Sequence, residues 1–251
     1  MSEITVVVPT CDRGPLLERT VESVLAQTHR PSRIIVVDNG QRPTTAHLTD
    51  PLVEIIRTSP RIGPGRARNI GAERATTPLV AFIDDDDLWM PGFLERALAV
   101  FADDPSLAAV VGHLERRRTD GTQGAYRQFP VEPEAQRAIY FRNPGFGGSY
   151  LAIKREVFLA LGGFDTSLPS SEDRDLAARL LERGERIGVA PEAIAVVCEH
   201  DGARARHNLV RGNRLFIIKH WSAMRWNERW QATKTLVKRW YRHPLTQKRT
   251  N

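Results

Sequence analysis

The sequence predicts an α/β fold, with a central, mostly parallel sheet flanked by helices. Three observations predict it. Apolar runs of strand length alternate with segments whose apolar residues recur at helical spacing. The runs are apolar throughout rather than alternating, as in strands buried on both faces. Several of them end in polar or acidic residues, which sets those residues where the sheet meets solvent. The chain has 251 residues, 41% of them hydrophobic and 26% charged, enough for a substantial core in one large or two small domains.

The elements follow in order. Ile4-Thr5-Val6-Val7-Val8-Pro9 reads as a first strand, and Leu16, Leu17, Val21, Val24 and Leu25 share one face of a helix. Arg33-Ile34-Ile35-Val36-Val37-Asp38 is a second strand, closed by the turn signal Asn39-Gly40. Residues 53–58 form a third strand, and residues 65–76 a short helix. Leu79-Val80-Ala81-Phe82-Ile83 is a fourth strand. Pro91 suits the first position of the next helix, which carries Leu94, Leu98 and Phe101.

The second half is less regular. Ala108-Ala109-Val110-Val111 is a strand, and residues 115–145, polar and rich in Arg, Gly and Pro, read as a long loop. Ser149-Tyr150-Leu151-Ala152-Ile153 is a further strand. Helices follow at 155–161, closed by Gly162-Gly163, and from Glu172 to Arg183, closed by Gly184. Ile194-Ala195-Val196-Val197-Cys198 is the last strand, just before His200.

No run of 18 apolar residues occurs, so no spanning helix is expected. Met1-Ser2-Glu3-Ile4 lacks the basic start and apolar core of a secretion signal. Two cysteines, Cys11 and Cys198, make no disulfide framework. A reduced cytoplasmic setting is expected. Charge is uneven: residues 204–251 hold 13 Lys/Arg and one acid, Glu228, a balance of +12, which leaves −6 of the net +6 on residues 1–203.

The most informative feature is the run Asp84-Asp85-Asp86-Asp87 directly after the fourth strand. Carboxylates packed this closely repel unless a cation sits among them. A hard divalent ion suits such oxygen donors. The plain alternative is a solvated acidic turn before the helix at Pro91. In an open parallel sheet, ligands bind beyond the carboxyl ends of the strands, where the strand order reverses. Pro9-Thr10, Asp38 and the aspartates all fall at such ends. The first strand–helix turn is Cys11-Asp12-Arg13-Gly14, not a glycine-rich phosphate loop, which disfavours a dinucleotide or P-loop protein.

Val8-Pro9-Thr10, Val37-Asp38-Asn39-Gly40, Gly65-Arg66-Ala67-Arg68-Asn69, Asp84 to Asp87 and Ser171-Glu172-Asp173 occur in the order seen in family 2 glycosyltransferases. Over residues 3–203 the chain resembles that family, which has the GT-A fold. The resemblance implies an inverting, metal-dependent transfer of a sugar from a nucleotide-diphosphate sugar to an acceptor hydroxyl. It implies roles as well. Pro9, Thr10 and Asp38 would hold the nucleobase and ribose, and Arg66 and Arg68 the diphosphate. Asp85 would lie on the sugar-nucleotide side and Asp86 on the divalent metal, Mn²⁺ or Mg²⁺, with Asp84 and Asp87 outside the coordination or solvated. Gly148 would let the backbone approach the donor sugar. Asp173 would be the general base, Glu172 its fallback or an acceptor-binding acid, and His200 a second metal ligand.

Each position has a plainer reading from the residues alone. Asp38 is also a turn carboxylate before Asn39-Gly40. Arg66 and Arg68 also fit a solvated helix face, and Asn69 a local cap. Gly147-Gly148 fits a tight turn, and His200 an ordinary loop residue. Ser170-Ser171-Glu172-Asp173 matches a capping box that needs no catalysis.

The expected organisation is a glycosyltransferase domain over 1–203, with a nucleotide-binding half at about 1–112 and an acceptor-binding half at about 113–203. A basic, amphipathic, helical extension follows over 204–251. In that extension Trp226, Trp230, Val237 and Trp240 recur near helical spacing among Arg225, Arg229, Lys234, Lys238 and Arg239. It fits packing on the acidic body, contact with an anionic membrane at its inner face, or a homodimer contact. Nucleic-acid binding is not expected, since no recognised module is present. The acceptor is a glycan, a lipid-linked molecule or a small molecule. The alternative function is a non-catalytic sugar-nucleotide-binding protein of the same fold.

Overall fold

The computed structural model describes residues 3–43, 48–117, 122, 124, 127–198 and 206–242. Nine strands form one sheet: β1 (Ile4–Thr10), β2 (Arg33–Asp38), β3 (Val53–Arg57), β4 (Leu79–Phe82), β5 (Asp87–Trp89), β6 (Leu107–Arg117), β7 (Arg127–Gln128), β8 (Leu151–Lys154) and β9 (Arg186–Cys198). The strand order is β3-β2-β1-β4-β8-β6-β9-β5, and β7 pairs with β6. The helices are α1 (Gly14–Leu25), α2 (Pro64–Arg74), α3 (Phe93–Asp103), α4 (Pro133–Gln136), α5 (Arg155–Ala160), α6 (Glu172–Glu182), α7 (Arg206–Lys219) and α8 (Trp226–Arg242).

The sheet has two characters. β3, β2, β1 and β4 run parallel; the central positions of β1, β2 and β4 are buried on both faces, as the unbroken Val/Ile runs of β1 and β2 require, while the edge strand β3 is only partly buried. From β8 onward the directions mix. β8 is antiparallel to both β4 and β6, β9 is parallel to β6, and β5 is antiparallel to β9. The expected sheet is therefore parallel only in its first half and between β6 and β9. The boundary expected near residue 112 falls inside β6, so one sheet runs across it.

Two strands are longer than the sequence suggests, and two are unexpected: β5, and the short β7 inside the segment expected to be loop. β9 begins at Arg186, eight residues before the apolar run. Its register against β6 skips from Val111↔Val189 to His113↔Ile194, so residues 190–193 bulge opposite Gly112. Pro191 and Glu192 lie exposed in that bulge and mask the strand in the sequence. β6 continues to Arg117, inside the segment expected to be loop. β5 starts at the last aspartate: Asp87 is buried and pairs with Val197.

Helices α1 and α2 flank the parallel half. Leu17, Val21 and Val24 of α1 are buried, as their spacing predicts. α2 lies against β1 because Gly71 has no side chain: a Cβ there would meet Val7 Cγ1 at 2.3 Å. Behind the other half, α6 docks on the 3-10 turn Arg137–Tyr140 and on α7, and α8 packs on that same turn. Phe82, Phe158 and Phe164 form an aromatic cluster under α2 and α5, with ring centres 5.1–5.4 Å apart.

Candidate functional site

The site starts where the strand order turns back at β1. Thr10 and Asp38 end β1 and β2 as register partners, both buried, with buried Pro9 just behind Thr10. Asn39 Nδ2 donates to the Thr10 carbonyl at 2.7 Å and locks the two ends together. The Asp38 carboxylate accepts from the Gly40 N–H at 2.9 Å and from Arg57 at 2.6 Å. A fully buried carboxylate is tolerated there because both oxygens have donors.

β4 delivers the aspartates to the same edge. The backbone turns tightly, with the Asp87 N–H on the Asp84 carbonyl at 3.1 Å. Ser149 holds that turn: its hydroxyl accepts from the Asp84 N–H at 3.0 Å, and its carbonyl accepts from Trp89 Nε1 at 2.9 Å. Trp89 in turn stacks on Phe93, with ring centres 4.1 Å apart.

The four carboxylates divide into two groups. Asp85 turns toward β1, where it accepts from the Thr10 hydroxyl at 2.7 Å and from Arg13 at 3.3 Å. Burial pushes its carboxyl up to about 6, and Asp86 and Asp84 add to the rise, while the Thr10 hydrogen bond and Arg13 oppose it. Asp84, Asp86 and Asp87 form the second group, each offering a carboxylate oxygen within 4.8 Å of the others. Three hard oxygen donors this close suit a small divalent cation. Two guanidiniums screen the charge: Arg13 bonds Asp86, and Arg68 bonds Asp84.

Arg68 is the hinge of the site. It is buried on α2 under Gly148, where a Cβ would stand 3.3 Å from the guanidinium carbon, and it lies over the Phe164 ring at 5.2 Å. Beyond Asp84, its other nitrogen is 3.8 Å from Glu172, at the start of α6. Burial disfavours its charge, but Asp84, Glu172 and Asp173 outweigh that and hold the guanidinium above its ordinary value. One cation therefore faces the aspartate cluster on one side and the Glu172-Asp173 pair on the other.

The start of α6 is fixed from behind. Ser171 precedes the helix with φ 71° and gives no side-chain cap, and the Ser170 hydroxyl donates instead to the Asn208 carbonyl of α7 at 2.9 Å. The capping box is not formed. Arg174 donates to the Ile139 carbonyl and to Asn213, and lies 3.8 Å over the Phe216 ring. Asp175 meets His220 at 2.8 Å, Arg179 at 2.7 Å and Lys219 at 2.7 Å. These buried contacts leave Glu172 and Asp173 half-buried at the mouth of the site. Asn69 is no local cap either: it exchanges two hydrogen bonds with Phe164, at 2.8 and 2.9 Å, and pins the turn that leads to α6.

The structure gathers Thr10, Asp38, Arg68, Asp84 to Asp87, Gly148 and Glu172 around one edge. Arg66 is not among them. It is exposed on α2, and two helical residues point about 200° apart, so Arg66 faces away from Arg68. Asp84 and Asp87 stand with Asp86 rather than apart from it, and Asp87 is buried rather than solvated. His200 lies outside the described residues. Three participants escaped the sequence reading: Arg13, Arg57 and Ser149. Arg13 had a signal, as a lone base in the first strand–helix turn. Arg57, at the end of an edge strand, had none.

Comparison with known proteins matches these features. The description "Glycosyl transferase family 2" fits residues 5–162. An uncharacterized glycosyltransferase of Haemophilus influenzae is 30% identical over 183 residues, covering 71% of this chain and 62% of that protein. The glucosyl-dolichyl phosphate glucuronosyltransferase of Haloferax volcanii is 30% identical over 210 residues, 74% of this chain and 66% of that one. The chain thus spans less than two thirds of either relative. Among solved structures, S. aureus TarS 1–349 in complex with UDP-GlcNAc superposes with a TM-score of 0.73 at 17% identity, covering 96% of this chain and 73% of that 1–349 chain. GalNAc-T7 with UDP, GalNAc and Mn²⁺ gives 0.64 at 21% identity, covering 81% and 45%. The two structures share the GT-A fold with this chain. With its family match over more than half its length and its aspartate turn at the switch point of the sheet, the chain belongs to glycosyltransferase family 2.

Proposed function

We propose that the chain is an inverting, metal-dependent glycosyltransferase that moves a sugar from a nucleoside-diphosphate donor to an acceptor hydroxyl. The observation that carries the reading is the Arg68 bridge. It ties the cation-capable aspartates to the helix start that bears Asp173, so donor and base face one site. In this reading Thr10, Asp38 and Asp85 hold the base and ribose. Asp86, joined by Asp84 and Asp87, would hold Mn²⁺ or Mg²⁺, which would supply charge neutralisation at the leaving diphosphate. Arg13 and Arg68, which pair with Asp86 and Asp84, would take diphosphate oxygens.

Asp173 acts on the acceptor. It stands in the first turn of α6, where the helix dipole favours the anion that a resting base requires. It takes the proton of the acceptor hydroxyl as that oxygen bonds to the anomeric carbon. The bond from that carbon to the diphosphate oxygen breaks on the opposite face, and the configuration inverts. One base suffices, and no covalent sugar–enzyme intermediate forms. Glu172, engaged with Arg68, serves as an acceptor-binding acid.

The donors named for the related structures make UDP-sugars the first to try, and the dolichyl phosphate relative makes a lipid-linked acceptor the first to try. Cys11 is a free thiol, which suits a reducing cytoplasm. The test is transfer, followed by proton NMR of the product linkage, with wild type and Asp173→Asn. Inverted product from wild type and none from the variant is expected. Donor binding without turnover on any acceptor would favour the non-catalytic reading. Retained configuration would overturn the mechanism.

A further inference from the structure

We infer that α7 and α8 form a docking surface for an anionic lipid bilayer, seated beside the acceptor side of the site. Among the described residues, nine large apolar side chains are exposed. Six of them lie on this segment: Leu209, Ile218, Trp221, Trp226, Trp230 and Val237. On α8, Trp226, Trp230 and Val237 stand four and seven residues apart and so share one face. Trp226 is 82% exposed and Trp230 58%. The opposite face docks on the protein through Glu228 and Ala232, both buried.

The charge of the surface matches its apolar content. Residues 206–242 carry ten Lys/Arg and one acid, a balance of +9. That acid is Glu228, and it points inward, gripping Arg137 through two bonds of 2.7 Å. The segment therefore brings no carboxylate of its own to the outer face. Two of its cations lie over its rings, Lys234 4.9 Å from the Trp230 centre and Arg229 5.5 Å from the Trp221 centre, while Lys219 and Arg225 pair with Asp165, Asp175 and Glu134 of the body. An indole at headgroup depth, with a cation reaching the phosphate, is the arrangement a bilayer interface favours. Two copies of this face would bring like charge against like charge. A nucleic acid would satisfy the cations but give Ile218 and Val237 nothing apolar to cover them.

The position of the surface adds a consequence. Gly212 of α7 packs so closely on Ser170 that a Cβ would meet its hydroxyl oxygen at 2.2 Å, and Ser170 leads directly into Glu172 and Asp173. A bilayer on α7 and α8 therefore lies within one helix start of the acceptor side.

The test is co-sedimentation of the full chain with vesicles of phosphatidylcholine alone or mixed with phosphatidylglycerol, together with tryptophan emission. Binding to the anionic vesicles, a blue shift on binding and loss with added salt are expected. Trp226→Ser/Trp230→Ser should weaken vesicle binding about tenfold or more while keeping the wild-type melting temperature and affinity for UDP with Mn²⁺. No binding to anionic vesicles, or equal binding by the folded variant, overturns the inference. So does a concentration-dependent dimer that the variant loses without any vesicle binding, or tighter binding to an oligonucleotide than to the vesicles.

Discussion

Arg68 stands 3.8 Å from Glu172 while its other guanidinium nitrogen holds Asp84, so a single buried side chain joins the aspartate turn after β4 to the start of α6. The two segments lie almost 90 residues apart in the sequence. Removing the charge should leave Asp84 and Glu172 facing each other unscreened. Arg68→Met is expected to destabilise the fold by about 3–5 kcal/mol, the range for stripping one partner from a buried pair. Urea denaturation measures it. A loss below about 1 kcal/mol would mean that the bridge organises nothing.

Asp173→Asn should reduce transfer by about 10²–10⁴-fold, the usual share of a general base, and leave UDP affinity unchanged. Steady-state rates and calorimetry read the two effects separately. Asp85→Asn should show the opposite balance, with donor affinity lost through the Thr10–Asp85 pair.

On the proposed reading, Arg13 would compete with a cation for Asp86. Its side chain is 42% exposed, so the pair is worth no more than about 1 kcal/mol. Arg13→Gln should therefore tighten Mn²⁺ binding about two- to fivefold in the absence of nucleotide. Electron paramagnetic resonance of free Mn²⁺ reports this directly. Weaker Mn²⁺ binding in the variant would exclude competition.

The α6–α7 junction should set a pH window for stability. His220 faces Asp175 and Glu182 of α6, with Lys219 beside it on α7 and Tyr140 against its ring. Burial opposes its charge, but hydrogen bonds donated to Asp175 and Glu182 outweigh burial and raise its affinity for the proton. Its contribution is complete below the ordinary imidazole value of 6.5 and is lost as pH rises through the raised one. Asp165 runs the other way. Burial raises it, yet Lys219 and Ser167 bring it down to about 2, so its contribution is present above 3.8 and fades as pH falls toward 2. Asp175 shifts in the same direction as Asp165. The junction's contribution to the melting temperature should therefore be greatest between about pH 4 and 6.5 and decline above that range. His220→Gln should flatten the alkaline decline. An identical decline in wild type and variant would assign it to other groups.

Glu228→Gln should undock α8 by stripping Arg137 of its buried partner, at a cost of about 2–4 kcal/mol. Hydrogen exchange across 226–237 should rise, while UDP binding persists. Unchanged exchange would show that apolar contacts alone hold the helix.

Much of this was legible in the sequence because local patterns decided it. β1, β2 and β4 are unbroken apolar runs, and their polar ends had to reach the sheet edge. Thr10, Asp38 and the aspartates follow from that alone. What escaped depends on partners far along the chain. β5 begins at Asp87 only because Val197 offers it a ladder, and the first half of β9 hides behind Pro191 and Glu192. Ser170 reads as the capping serine of a capping box, yet the helix starts one residue later, after Ser171, and the Ser170 hydroxyl goes to the Asn208 carbonyl. Packing on the acidic body, one of the three readings of the tail, would join it through its bases and bury its tryptophans. Instead Glu228, its one acid, docks it, and Trp226 and Trp230 face outward.

The most direct test of the central claim is calorimetric titration of UDP, with and without Mn²⁺, into wild type, Asp86→Asn and Asp173→Asn. If the aspartate turn holds a cation for the diphosphate and Asp173 serves only the acceptor, wild type and Asp173→Asn will bind UDP equally and only with Mn²⁺, while Asp86→Asn loses the metal effect. Metal-independent binding by wild type, or loss of binding in a folded Asp173→Asn variant, would contradict it.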